Sequence, residues 1–203
     1  MFRLLAWISA PFLLSALLAG QPFAAETGPS IATDAAVPAT EQTREERLDA
    51  LFATLRDEAD ADAAGEIEDA ILDIWLESGS DTVDLLMDWS LQAMERKQYP
   101  RALDFLDRII VMQPDYVEGW NKRATVYFLM DDYGKSIADI GRVLELEPRH
   151  FGALSGLGII FRSLGEEDRA KAAFRQALDL DPHLDSVREE LESLEEETAG
   201  EET

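Results

Sequence analysis

The sequence contains no cysteine, and only two of its 203 residues are histidine. The absence of thiols excludes disulfide bonds, thiolate metal sites and cysteine nucleophiles, so stability has to come from packing. Basic residues are also few: the sequence has 18 lysines and arginines and 42 acidic residues, which gives a formal net charge of −24. Since such a chain repels phosphate backbones, we expect no nucleic-acid partner. Attraction to a basic protein and simple surface solvation are both compatible with this charge.

Motifs that carry catalysis or hold a cofactor are missing as well. The sequence has no glycine-rich phosphate loop and no HExxH pair, and Ser155 lies in "ALSGLG" rather than in a G-x-S-x-G turn. The nearest approach to a calcium loop has Ala64 and Ile71 at positions that need oxygen ligands. His150 and His183 each follow a proline, and we expect both in exposed turns. We therefore predict no catalytic residues, no metal, no cofactor and no enzymatic activity, with an enzyme kept as a minor alternative.

The first residues have the form of a secretory signal. One cation, Arg3, precedes a mostly apolar run over 4–19, which is shorter than the roughly 20 apolar residues of a membrane-spanning helix. We predict a signal peptide over 1–25 and export to a periplasm. Retention of the segment as an N-terminal anchor is the alternative, and only then would the chain contact a membrane. Residues 26–43 mix Ala, Thr, Pro and Gly without a period and are expected to form a flexible linker.

Amphipathic helices begin after this linker. Leu48, Leu51, Phe52 and Leu55 form an apolar stripe on one helical face. A second stripe follows in "EIEDAILDIWLESG", made by Ile67, Ile71, Ile74 and Trp75. Residues 44–80 are therefore expected to form a helical pair, either a degenerate copy of the units that follow or their N-terminal cap.

Three prolines, Pro114, Pro148 and Pro182, stand 34 residues apart. They divide the chain into equal blocks over 83–116, 117–150 and 151–184. Small residues recur at the eighth and twentieth positions of the blocks, namely Ser90, Ala124, Gly158, Ala102, Ser136 and Ala170. Each block reads as two amphipathic helices that bury their stripes only by stacking on neighbouring pairs. Asp115 and Glu118, at the start of the second block, are spaced as a capping box.

This pattern resembles the tetratricopeptide repeat (TPR), whose period is 34 residues and whose small and proline positions match these. The resemblance implies an all-α solenoid of three helical hairpins, preceded by the pair at 44–80. Residues 185–197, with Val187, Leu191 and Leu194 on one side, are expected to cap the last hairpin. Residues 198–203 are expected to form a disordered acidic tail.

In the TPR family the first helix of each pair lines a concave surface that binds an extended peptide or a helix. Carried over by repeat position, the resemblance assigns nine groove residues: Met87, Leu91, Met94, Asn121, Thr125, Phe128, Ser155, Ile159 and Arg162. A clamp for a C-terminal carboxylate is not expected, because Gly152 and Gly156 stand where that clamp needs basic residues. The expected function is a non-enzymatic adaptor of the cell envelope that binds a protein or peptide. A membrane-tethered assembly factor and self-association through a terminal repeat are the alternatives.

Overall fold

A computed structural model of the protein describes residues 42–201, with side chains to residue 198. The predicted signal peptide and nearly all of the predicted linker lie outside the described residues. The described part contains nine α-helices and no strand: α1 Arg44–Asp57, α2 Ala61–Leu76, α3 Asp81–Glu95, α4 Tyr99–Met112, α5 Val117–Leu129, α6 Tyr133–Leu146, α7 Phe151–Ser163, α8 Glu167–Leu180 and α9 Asp185–Glu201. None of these helices is long and apolar enough to cross a membrane.

Helices α3 to α8 form three hairpins that stack in chain order. Each hairpin closes over small residues, because larger ones would hold its two helices apart. A Cβ atom on Gly158 would collide with the ring of Phe174. In the middle hairpin, the buried Ser136 Oγ donates a hydrogen bond of 2.8 Å to the carbonyl oxygen of Ala124.

The turn within each hairpin has the same left-handed residue. Lys97, Asp131 and Gly165 are at equivalent positions, 34 residues apart, with φ angles of 55°, 57° and 72°. This conformation lets the next amide reach back to a carbonyl five residues earlier, as Gln98 N does to Ala93 O at 2.8 Å. Only glycine adopts it without steric cost, so two of the three turns are strained.

Helix α9 closes the C-terminal end of the stack. It buries Val187, Leu191 and Leu194 against the last hairpin. The helix runs to Glu201, beyond the predicted end at 197, so the expectation of a disordered tail from 198 is wrong for the residues described. Lys171 Nζ donates to Thr198 Oγ1, which ties this last part of the helix to α8.

The N-terminal hairpin, α1–α2, is not stacked on α3 as a cap or a further repeat would be. It lies along the edge of the stack that carries the three proline turns. Its core, built around Phe52 and Trp75, also includes Phe151 at the start of α7. Tyr116 Oη donates to Leu76 O at 2.9 Å, and His183 Nε2 lies 3.1 Å from Glu58 O.

Both the connection and the aromatic rings explain this position. Gly79 has a φ of 73° in the short segment between α2 and α3, which permits a change of direction there. The apolar stripe of the hairpin then meets rings at the turns, with the Trp75 and Phe151 centroids 5.3 Å apart. The hairpin therefore acts as a strap across the turns, and we call it the turn strap.

Exchanging the turn residues tests the strain at the left-handed positions. We expect Lys97→Gly to raise the free energy of unfolding by about 0.5 to 1 kcal/mol, because it removes the steric cost of positive φ. Gly165→Ala should lower it by about 1 kcal/mol for the same reason. Urea unfolding followed by circular dichroism measures both changes. Equal stability of parent and both variants would contradict the assignment of strain.

Candidate functional site

A groove opens between α5 and α7 and is floored by α6. Its volume is about 230 Å³. It is lined by Asn121, Ala124, Thr125, Phe128, Ser136, Ile140, Gly152, Ala153, Ser155, Gly156, Ile159 and Ile160. The lining combines one residue set from the second hairpin with one from the third, so the groove exists only because the two hairpins stack.

Five of the nine residues assigned from repeat position line this groove, and the other four lie elsewhere. Those in the groove are Asn121, Thr125, Phe128, Ser155 and Ile159. Met87 is buried in the core of the first hairpin, and Leu91 and Met94 pack against that core. Arg162 is held by α9, since it pairs with Glu190 and Glu197 and donates to Ser193 Oγ at 3.1 Å.

The hollow arises from small residues on α7. Gly152 and Gly156 carry no side chain toward it, and a Cβ on Gly156 would meet only the Ile140 Cδ1 atom, at 4.0 Å. Phe128 and Ile159 form the apolar walls. Ile159 is 40% exposed although it is a large aliphatic residue, which leaves apolar surface available for a ligand.

The polar groups in the groove are arranged to accept hydrogen bonds. Thr125 Oγ1 and Ser155 Oγ donate to carbonyl oxygens of their own helices at 3.0 and 2.8 Å, so their lone pairs face outward. The Asn121 amide nitrogen donates to both carboxylate oxygens of Glu118, at 3.2 and 3.0 Å. Asn121 Oδ1 is then the group left for a ligand. No lysine or arginine belongs to the lining.

A buried charged cluster lies directly behind Asn121. Glu118 and His150 are each 1% exposed, and His150 Nε2 lies 2.9 Å from Glu118 Oε1. Because His150 Nδ1 accepts the Ala153 N–H at 3.0 Å, the ring proton is on Nε2 and is donated to Glu118. Trp75 of the turn strap stacks on the imidazole, with centroids 4.2 Å apart and planes 11° from parallel.

This cluster overturns two expectations from the sequence. His150 is a buried N-cap of α7 and not an exposed turn residue, because Trp75 covers it from a distant part of the chain. Glu118 does not form a capping box with Asp115, since the N-cap of α5 is Tyr116 and no side chain caps it. The sequence has the spacing of a capping box, but Glu118 is bound instead by His150 from the next inter-hairpin turn and by Asn121 and Lys122 of its own helix.

The surroundings of Glu118 strongly favour its ionised form. Burial by itself would raise its pKa, but the hydrogen bond from His150, the Lys122 ammonium 3.1 Å away and the Asn121 amide outweigh burial. Together they hold the pKa of Glu118 at about 2, below its ordinary value of 4.5. The carboxylate therefore stays charged through the physiological range and keeps the Asn121 amide turned toward it.

The fold is that of a solenoid of helical hairpins, and comparisons with known proteins identify which solenoid. The tetratricopeptide repeat family model matches residues 117–150 and again 151–184, the same limits as the second and third blocks of the sequence. A TPR repeat-containing protein of Rhizobium etli is 41% identical over 205 residues, covering 99% of this chain and 98% of the relative.

Solved structures agree on the fold. The first TPR of Spaghetti (RPAP3), bound to the HSP90 peptide SRMEEVD, superposes with a TM-score of 0.56 at 20% identity, over 59% of this chain and 95% of that one. MamA gives 0.55 at 19% identity, over 73% and 84%. The chain belongs to the tetratricopeptide repeat family, and the predicted all-α TPR solenoid is confirmed. TPR proteins are in general non-enzymatic protein-interaction modules.

Removing the buried charge tests the cluster. We expect Glu118→Gln to lower the free energy of unfolding at pH 7 by about 3 kcal/mol, because His150 and Lys122 lose their ionised partner. The folded-state pKa is depressed, so the stabilisation is complete above pH 4.5 and is lost as pH falls toward about 2. Urea unfolding at a series of pH values measures the difference between parent and variant.

The exposed Glu95, which makes no ion pair within the described part of the chain, supplies the matched control as Glu95→Gln. The difference between parent and Glu118→Gln should shrink on acidification from pH 4.5, whereas Glu95→Gln should follow the parent throughout. A Glu118→Gln variant as stable as Glu95→Gln at pH 7 would contradict the role given to the cluster.

Proposed function

We propose that this protein is a non-enzymatic adaptor that binds a polypeptide segment in the groove between α5 and α7. The observation that carries the proposal is an apolar hollow whose polar groups are hydrogen-bond acceptors, formed where two TPR hairpins stack. Apolar walls anchor side chains, and the acceptors receive main-chain N–H groups that a bound segment must satisfy.

The size of the groove favours a segment of a longer chain. Its volume of about 230 Å³ lies below the roughly 300 to 1,000 Å³ of sites that enclose whole small molecules. A hollow of this size takes one or two anchoring side chains, while the flanking residues of the ligand run along α5 and α7. Ile159 and Phe128 are the surfaces against which those side chains pack.

The charge of the groove favours a neutral or basic segment without a terminal carboxylate. A carboxylate needs cationic or N–H donors, and the lining holds neither lysine nor arginine. The ammonium group of Lys122, which follows Asn121 in the chain, pairs with Glu118. The RPAP3 structure contains the acidic HSP90 peptide SRMEEVD, and the groove described here has the opposite electrostatic preference. The net charge of −24 adds a general attraction for basic partners.

We place this adaptor in the cell envelope on the basis of its first residues. One cation followed by an apolar run over 4–19 supports export, and the absence of cysteine is compatible with an oxidising compartment. Retention of that run would make the protein a tethered assembly factor with the same groove.

Intact mass spectrometry of protein purified from a bacterial envelope tests this placement. We expect a mass that corresponds to loss of residues up to about Ala25, because the apolar run is shorter than a spanning helix. Recovery of the full-length mass in the membrane fraction would instead establish the tethered form.

Filling the groove tests the binding site. Gly156→Leu places a side chain in the hollow where only Ile140 Cδ1 is within 4.0 Å, and it also replaces a poor helix former. We expect folding to be kept and affinity for a groove-binding peptide to fall about tenfold or more. Peptides selected by display against the full chain provide the ligands, and fluorescence anisotropy measures their affinity.

Gly141→Leu is the matched control, because Gly141 is an exposed helical glycine outside the groove with no atom near its added Cβ. The selected peptides should be apolar and neutral or basic, and amidation of their C-termini should leave affinity unchanged. Peptides that bind Gly156→Leu and the parent equally would refute the groove, and a strict need for a free carboxylate would refute its assigned chemistry.

A further inference from the structure

The helices that open successive repeats bury equivalent positions against the hairpin before them. Gly119 in α5 lies so close to α4 that an added Cβ would be 2.9 Å from Ile109 Cγ2. The equivalent residues of α7 and α9, which are 34 and 68 positions further on, are also buried. The residues about two helical turns further along the same face are buried as well, namely Val126, Ile160 and Leu194.

In α3 the equivalent positions are exposed. Leu85 corresponds to Gly119 by the 34-residue period and is 47% exposed, and Trp89, on the same helical face, is 44% exposed. The turn strap accounts for this exposure, because it follows the proline turns and leaves the outer side of α3 uncovered. Within residues 42–201, the N-terminal end of the stack is thus left uncovered, whereas α9 covers the C-terminal end.

A hollow of about 340 Å³ lies on this open end between α3 and α4. We call it and the exposed side of α3 the end face. The hollow is lined by Trp89, Gln92, Ala93, Arg96, Gln98, Arg101 and Phe105. The rings of Trp89 and Phe105 are 5.6 Å apart, and the Arg101 guanidinium carbon lies 5.7 Å from the Phe105 centroid. Apolar rings and free guanidinium groups therefore share one surface.

The cations of the end face differ from most others in the protein. Within residues 42–198, most lysines and arginines form ion pairs with the abundant acids. Arg96, Lys97, Arg101 and Arg108 form none there, and all four are exposed on or next to α4. No acidic residue belongs to the lining of the hollow, so Arg96 and Arg101 make it a local surface of opposite sign in a chain with 42 acidic residues.

We propose that the end face binds an amphipathic α-helix of a partner protein, with acidic residues in its N-terminal half. The helix takes the position that the preceding hairpin would occupy in a longer stack. Adjacent helices of the stack run antiparallel because short turns join them, so a docked helix runs antiparallel to α3. Its N-terminal turns then lie beside Arg96 and Arg101, and its apolar stripe covers Leu85 and Trp89.

A second copy of this chain fits the end face less well. The apolar residues of α9 are already buried in its own stack, so its outer side offers acids without an apolar stripe. If two end faces met, the arginines of one would lie against those of the other and repel them. An anionic membrane would meet the exposed Asp81, Asp84 and Asp88 at the other end of α3. A helix with acids at one end only avoids each of these conflicts.

The test uses the full chain and a fluorescein-labelled peptide of about 18 residues. The peptide carries leucines three and four apart, glutamates in its first two turns and lysines in its last two. A control peptide has the glutamates and lysines exchanged. We expect the glutamate-first peptide to bind the parent, and Arg101→Glu or Trp89→Ala to weaken it about tenfold. The control peptide should bind the parent more weakly and gain affinity on Arg101→Glu.

Two further variants separate the end face from other effects. Arg56→Glu makes the same charge change at an exposed residue of α1 and should leave binding unchanged. Gly156→Leu, which fills the concave groove, should also leave it unchanged, so failure of the groove proposal and failure of this one are distinguishable. Circular dichroism checks that every variant folds.

Equal binding of the two peptides, or equal weakening by Arg56→Glu and Arg101→Glu, would overturn the proposal. Loss of binding on Gly156→Leu alone would assign the peptide to the groove. Phosphatidylglycerol vesicles provide the remaining comparison. Vesicle binding that is lost on Arg101→Glu and Trp89→Ala, without peptide binding, would make the end face a membrane contact instead.

Discussion

The buried carboxylate of Glu118 is the constraint on which the rest of the arrangement depends. Burying an ion this deeply costs several kcal/mol unless neighbouring groups pair with it, and the partners of Glu118 come from its own helix and from the next inter-hairpin turn. His150 comes from the next proline turn, and Lys122 and Asn121 come from α5 itself. Trp75, stacked on His150, adds the turn strap. Glu118 thus holds the turn through His150 and the groove wall through Asn121, and the turn strap packs on that same histidine.

The position of the strap explains why the two ends of the stack differ. A hairpin that stacked on α3 would cover Leu85 and Trp89, as the later hairpins cover their neighbours. Trp75 instead packs against His150 and Phe151, so among the described residues one side of α3 stays exposed. The part of the molecule that the structure describes consequently presents two surfaces of opposite electrostatic character, a concave groove of acceptors and an end face whose guanidinium groups form no ion pair there.

The repeat architecture was predictable because its signals are local. Proline positions, small residues and the 34-residue period are all visible in the sequence, and the helices follow from them. The strap was not predictable, because an apolar stripe is the same whether a hairpin caps a stack or crosses its turns. Burial of His150 depends on Trp75, far away in the chain. The TPR resemblance likewise assigns Met87 and Arg162 to the concave side by repeat position, but the burial of Met87 in a core and the pairing of Arg162 with α9 depend on tertiary contacts.

The charge behind the groove also decides what the groove presents. An asparagine amide offers either its oxygen or its nitrogen, and the ionised Glu118 accepts hydrogen bonds only, so the nitrogen of Asn121 must turn inward. The oxygen is then fixed toward a ligand, although Glu118 itself touches none. Because the pKa of Glu118 is held at about 2, this orientation does not change across the physiological range. The buried, ionised Glu118 therefore sets which hydrogen-bonding group Asn121 presents in the groove, from one layer behind the groove surface.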